Sequence, residues 1–184
     1  MKQFSISMSG KNRIKDLRTY LCGPMDRVAD GGVAWRAYLS NYLRARDVIV
    51  LDPCNKPTDT GVEDLENRAL RREWKKNGEY QKVADSMRVI RNTDLRMVDV
   101  SDFIIANLDL EAQPCGTYEE LFLANRQKKP ILVRVAQGKE NTPDWLLGTL
   151  PHETIFSTWD EMKDYLEYVS TSNDMIDRWV FFNF

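Results

Sequence analysis

The sequence predicts an α/β chain with a parallel five-stranded sheet covered by helices on both faces. Three observations predict it. Runs of β-forming residues alternate with stretches of helical period, the order that builds a parallel sheet. The run Phe103-Ile104-Ile105-Ala106-Asn107-Leu108 is almost continuously apolar, as a central strand buried on both sides requires. Strand-like runs also end abruptly: residues 17–22 at Gly23-Pro24 and residues 48–51 at Asp52-Pro53.

Taken in order, residues 17–22 form the first strand. Trp35, Tyr38, Leu39, Tyr42 and Leu43 then recur at steps of three and four, which marks a helix over 35–43. The second strand, 48–51, is followed by a loop over 55–62 rich in Pro, Gly, Thr and Asp. Residues 63–76 set Arg68, Arg71, Arg72, Lys75 and Lys76 among Glu63, Glu66 and Glu73, the pattern of a solvated helix face carrying i,i+4 pairs. A longer helix over 79–100 carries the stripe Tyr80, Val83, Met87, Ile90 and Val98. Asp94 falls on that stripe, where a carboxylate needs a partner or a function. The third strand is 103–108, and a helix follows over 117–127. The fourth strand is 130–135, followed by a polar loop over 136–142 and an apolar turn at Trp145-Leu146-Leu147. A fifth strand over 153–156 and a helix over 159–169 complete the pattern. Residues 1–15 read as an N-terminal extension and 173–184 as an aromatic C-terminal tail, so 1–184 forms one domain.

This layering is flavodoxin-like (Rossmann-like). In such sheets ligands bind beyond the carboxyl ends of the strands, where strand order reverses, commonly between the first and third strands. The segments to examine are therefore Cys22-Gly23-Pro24-Met25, Asn107-Leu108-Asp109, and the helix start at Gly116-Thr117.

The chain has 184 residues, 42% hydrophobic and 29% charged, with a net charge of −2, so it can bury a core without disulfides or metal. Its cysteines, at 22, 54 and 115, lack both a disulfide framework and zinc spacing, which points to a reducing cytoplasm. No metal or cofactor is expected, since Gly23-Pro24 and Gly31-Gly32 form no phosphate-cradling fingerprint. The near-balanced charge argues against a nucleic-acid partner, and the lack of a long apolar run argues against membrane insertion. A small-molecule substrate is favoured.

Two carboxylates stand out. Glu120 lies three residues after Thr117; this is either a capping box, with Glu120 returning a bond to the Thr117 backbone, or a functional group at the crevice. Asp94 is the second, and glycosidic chemistry calls for such a pair, one to attack or stabilise and one to handle a proton. Trp35-Arg36 reads as a helix start with a core tryptophan, or as a site where an arginine beyond a glycine loop meets an anion. His152 reads as structural. Cys115 reads as incidental, since no histidine accompanies it.

Tyr20-Leu21-Cys22-Gly23-Pro24-Met25, Asn92-Thr93-Asp94-Leu95, Leu108-Asp109, Gly116-Thr117-Tyr118-Glu119-Glu120 and Lys129-Pro130-Ile131-Leu132 together resemble the nucleoside 2-deoxyribosyltransferase family over residues 17–135. The resemblance implies a flavodoxin-like fold and cleavage of the N-glycosidic bond of a 2'-deoxynucleoside. It makes Glu120 the nucleophile, Tyr20 the residue that orients it, and Asp94 the residue that serves the base. Gly23, Pro24, Met25, Trp35, Arg36, Asp109, Gly116 and Thr117 are the candidate substrate-binding residues. The family's sites are shared between subunits, so a homo-oligomer is implied, with Asn183 of the tail as a candidate contribution to a neighbour's site. Pro114 stands where the family places an aspartate that holds the sugar hydroxyls; Asp109, Glu111 or Gln113 could substitute from the same loop. The charged insert 63–82 exceeds what a minimal member needs and reads as a lid or an oligomer contact. The rival activities are hydrolysis of a nucleoside 5'-monophosphate, with Arg36, Arg88 or Arg91 supplying charge, and non-catalytic nucleotide binding.

Overall fold

The computed structural model describes residues 11–26, 28–56, 61, 63–112 and 114–179. Five strands, β1 (Arg18–Cys22), β2 (Ile49–Leu51), β3 (Phe103–Leu108), β4 (Ile131–Val135) and β5 (Ile155–Phe156), form one sheet in the order β2-β1-β3-β4-β5. Every pairing is parallel, and Tyr20 lies opposite Leu51 on one side and Ile104 on the other. The chain runs outward from β1 to β2 and then returns across β1 to β3. Strand order therefore reverses at β1, and the crevice opens beside it.

Side chains alternate across a strand, so β1 and β3 each supply two layers. On one face Tyr20, Cys22, Ile104, Ala106 and Leu108 pack with α3 (Tyr80–Val100) and α4 (Cys115–Arg126) through Met97, Val98, Leu121 and Ala124. On the other face Leu21, Phe103 and Ile105 pack with α1 (Val33–Arg44) and α6 (Trp159–Thr171) through Leu39, Leu43, Met162 and Leu166. All of β3 is buried, as its unbroken apolar run requires. Leu146 of the short α5 (Asp144–Leu147) joins the layer beneath α3 and α4, and α2 (Leu65–Lys76) packs on α3. Among the described residues no helix is long and apolar enough to cross a membrane.

The first and last described segments meet the same face. Ile14 is buried, the Arg13 amide donates to the Ser170 carbonyl at 3.0 Å, and Trp179 is buried with its ring 5.1 Å from Phe103. Asn183 and Gln113 lie outside the described residues, so the tail's suggested reach toward a neighbour is not seen.

Two expectations need correction. The charged stretch 63–76 is helical, but its face is not uniformly solvated, because Arg68 and Arg71 are buried. The helix expected to open at Thr117 opens at Cys115, and Pro114 at its cap position supplies no side-chain bond. Thr117 is thus inside the first turn rather than a cap, and Glu120 is released from the capping box.

Arg36 is fully buried and holds the carboxyl end of β1 in place. Its Nε donates to the Leu21 carbonyl at 3.2 Å, Nη1 to Gly32 at 3.0 Å and Nη2 to Gly23 at 2.7 Å, with Asp52 at 3.8 Å. Gly31 and Gly32 both have positive φ, and a Cβ on either would sit 2.2 Å from Arg68 Nη2 or 2.4 Å from Arg36 Nη1. The glycine pair therefore makes room for two buried guanidinium groups. Replacing Arg36 by Met should strand these carbonyls and lower stability by about 3–5 kcal/mol, read as a lower urea midpoint. A loss under about 1 kcal/mol would show that the bonds do not hold the strand end.

Candidate active site

A cavity of about 340 Å³ opens beyond β1 at the reversal point. Tyr20, Gly23, Pro24 and Met25 line it from β1 and its turn, Asp94 from α3, and Gly116, Thr117 and Glu120 from α4. Tyr20 and Cys22 both reach Glu120 because residues two apart on a strand share a face. The Tyr20 hydroxyl donates to Glu120 Oε1 at 2.9 Å, and the Cys22 thiol donates to Oε2 at 2.8 Å. Both oxygens of this carboxylate are thus held from one strand, with the side chain aimed at the sheet rather than back along its own helix.

Burial raises the Glu120 pKa to about 7; the bonds from Cys22 and Tyr20 and the charge of Arg36 oppose the rise, whereas the negative charge of Asp94 adds to it. Burial also pushes the Tyr20 hydroxyl and the Cys22 thiol well above their ordinary values, with the Glu120 charge adding to both shifts. Both groups therefore keep the protons they donate.

Asp94 is buried, and Lys56 Nζ lies 2.8 Å from its Oδ1 and 3.3 Å from Glu63 Oε1. Burial raises the Asp94 pKa against the pull of Lys56, with Glu63 adding to the rise. The Lys56 side chain is only 3% exposed, so this cation is committed to the two carboxylates. Glu63 also lines the cavity. Sequence reading missed Lys56, Glu63 and Cys22. The available signal for Cys22 was its period-two relation to Tyr20; nothing local marks Lys56, which lies in a loop.

Other expected residues sit elsewhere. Asp109 does not line the cavity; its carboxylate accepts from the Glu111 amide at 3.0 Å and from Gln137 Nε2 at 2.7 Å. Trp35 stacks on Trp159 with ring centroids 5.4 Å apart, and Arg36 spends its donors on backbone carbonyls instead of an anion. Arg88 pairs with Asp85, whereas Arg91 does line the cavity but is paired there with Glu119. Cys115 lies exposed at the cavity wall, and the His152 side chain, 69% exposed, pairs with Glu153 in a turn before β5. Asp26, not singled out from the sequence, also lines the cavity. Among the described residues no cluster of His, Cys, Asp and Glu could hold a metal ion.

The same architecture is known from solved structures. The chain is similar to a 2-deoxyribosyltransferase from the psychrotolerant bacterium Bacillus psychrosaccharolyticus, with a TM-score of 0.57 and 16% identity over 86% of this chain and 99% of that one. A Clostridium botulinum CMP N-glycosidase aligns with a TM-score of 0.44 and 17% identity over 83% and 96% of the two chains. A conserved protein from Enterococcus faecalis aligns with a TM-score of 0.44 and 14% identity over 91% and 96%. No family model matches the sequence, and no curated protein matches it. At these identities the first likeness establishes the flavodoxin-like fold.

The raised Glu120 pKa makes stability depend on pH. The folded pKa lies above the ordinary value of 4.5, so this group's contribution to stability is fully present below about pH 4.5 and is lost as the pH rises through 7. Glu120→Gln removes the titration. In urea denaturation the variant should match the parent near pH 5 and exceed it by about 2 kcal/mol at pH 8. A difference that does not change with pH would remove burial as the cause.

Proposed function

We propose that the chain cleaves the N-glycosidic bond of a 2'-deoxynucleoside and passes the deoxyribosyl group to a second base. The observation that carries this reading is the Glu120 carboxylate, held through both oxygens by Tyr20 and Cys22 at the wall of a cavity that Asp94 also lines. Fixing both oxygens limits the carboxylate to one approach, which lowers the entropy cost of attack.

As the C1'–N bond lengthens, its electron pair withdraws into the base, and a proton from Asp94 or from a water it holds neutralises the departing nitrogen. Positive charge builds on the sugar ring and is met by the Glu120 carboxylate, one oxygen of which bonds to C1' to give an ester. Tyr20 and Cys22 keep their protons, so they orient the carboxylate without titrating against it. The incoming base then attacks C1' from the side the first base left, its proton returns to Asp94, and the ester electrons return to Glu120. Two inversions give net retention. Lys56, between Glu63 and Asp94, offsets part of the negative charge that the site gathers.

The reaction needs Glu120 ionised and Asp94 protonated; with Glu120 near 7 and Asp94 near 6 this pair is a minority form, so the rate should be bell-shaped in pH, its acid limb breaking near 6 and its alkaline limb near 7. Incubation with a deoxynucleoside and a different free base should yield the exchanged nucleoside by chromatography. Glu120→Ala should lose on the order of 10⁴-fold in rate, and Asp94→Asn about 10²-fold. Mass spectrometry should find one deoxyribosyl unit on the Glu120 peptide. Free deoxyribose without exchange would replace transfer by hydrolysis, and full activity in Glu120→Ala would end the reading.

A further inference from the structure

Along α2, Arg68, Arg71, Arg72 and Lys75 occupy positions i, i+3, i+4 and i+7, which lie on one helix face. This face lines a second cavity of about 350 Å³. Asp26, Met87 and Ala112 line both this cavity and the one holding Glu120, so the two adjoin. Val83 and Met87 of α3 face the cationic cavity, and Met87, Ile90 and Asp94 the catalytic one. At about 1.5 Å of rise per residue, Met87 stands roughly 10 Å along α3 from Asp94, about the reach of one nucleoside.

Among the described residues the charge in this cavity is compensated only in part. Arg68 is buried and partly spent, its Nη1 donating to the Met25 carbonyl at 2.7 Å and its Nη2 to the Glu63 carbonyl at 3.2 Å. Arg71 is only 5% exposed, and among the described residues no hydrogen-bond or ion-pair partner meets it; its Nη2 is buried without an acceptor. Arg72 and Lys75 stand exposed at the rim. Asp26 is the carboxylate on the shared wall, and among the described residues no ion pair joins it to these cations. An unpaired buried guanidinium is costly, and like charges at i,i+4 repel. Both costs are relieved by a multiply charged anion, and a guanidinium fork matches phosphate oxygens.

We propose that this cavity seats a phosphate ester on the substrate's sugar, so that the molecule acts on a nucleoside 5'-phosphate in preference to a free nucleoside. The proposal rests on the N-glycosidic reading of the adjoining cavity. The C5' arm reaches farthest from C1', which places its phosphate beyond Met87 while C1' stays at Glu120. Arg71 is the buried anchor, Arg72 and Lys75 close the rim, and Arg68 joins the anchor to the Met25 turn.

The test is calorimetric titration of the full chain with the common 2'-deoxynucleosides, their 5'-monophosphates and inorganic phosphate. At least one 5'-monophosphate should bind about 30-fold more tightly than its nucleoside. Arg71→Met should bring that ratio to within about threefold while leaving nucleoside affinity unchanged, and should raise the Tm of the unliganded protein by a few degrees. The surface variant Arg72→Gln/Lys75→Gln, which disturbs no buried contact, should lose about tenfold in nucleotide affinity. Equal affinity for nucleoside and nucleotide, or a preference that survives in both variants, overturns the proposal. Glu120→Gln separates the two readings. Tight nucleotide binding to it and to a parent that cleaves nothing would sink the N-glycosidic reading and keep the phosphate seat. Cleavage of nucleosides and nucleotides at equal rates would do the reverse.

Discussion

The placement of β1 between β2 and β3 constrains the rest of the molecule. A parallel strand paired on both edges cannot slip by one residue without turning every side chain to the opposite face. That register fixes Tyr20 and Cys22 toward α4, where they meet Glu120, and fixes Leu21 toward α1. Arg36 then reaches from α1 to the carbonyls of Leu21 and Gly23 and pins the point at which the strand gives way to its turn. The geometry at Glu120 therefore follows from sheet pairing together with one buried guanidinium, not from a flexible loop.

Charge is sorted along the crevice. Carboxylates gather at one end, where Asp94 and Glu63 share the buried cation Lys56 and Glu120 feels the charge of Arg36, and arginines gather at the other on α2. Each cluster is unfavourable in isolation. Burial holds Glu120 near neutrality, so the site keeps a titratable proton close to where glycosidic chemistry would use one. A ligand with a cationic centre in its transition state and an anionic group some way off would satisfy both ends at once.

The strands were legible because burial on both faces leaves an unbroken apolar run, as in β3, and because Gly-Pro and Asp-Pro pairs stop β1 and β2. The meeting of Tyr20 with Glu120 could be anticipated only through a resemblance, because no local rule links residues a hundred positions apart. Lys56 was invisible for the same reason: its contact with Asp94 depends on how the insert folds back over α3. The buried face of α2 was readable in principle. A stripe of cations at i, i+3, i+4 and i+7 with no acid among them differs from the alternating pattern of a solvated helix, but overall charge balance conceals it. Asp109 was misplaced because position beside a strand end does not fix direction, and Gln137 draws its carboxylate away.

Gly31 and Gly32 seat two arginines that serve different parts of the molecule, Arg36 at the end of β1 and Arg68 at the cationic helix. A single methyl group added at either position would press on one of them, so the two halves of the crevice share one hinge of sequence. Remodelling the cavity would do best to leave this dipeptide untouched and to diversify the apolar wall at Met87, Ile90 and Leu95 instead.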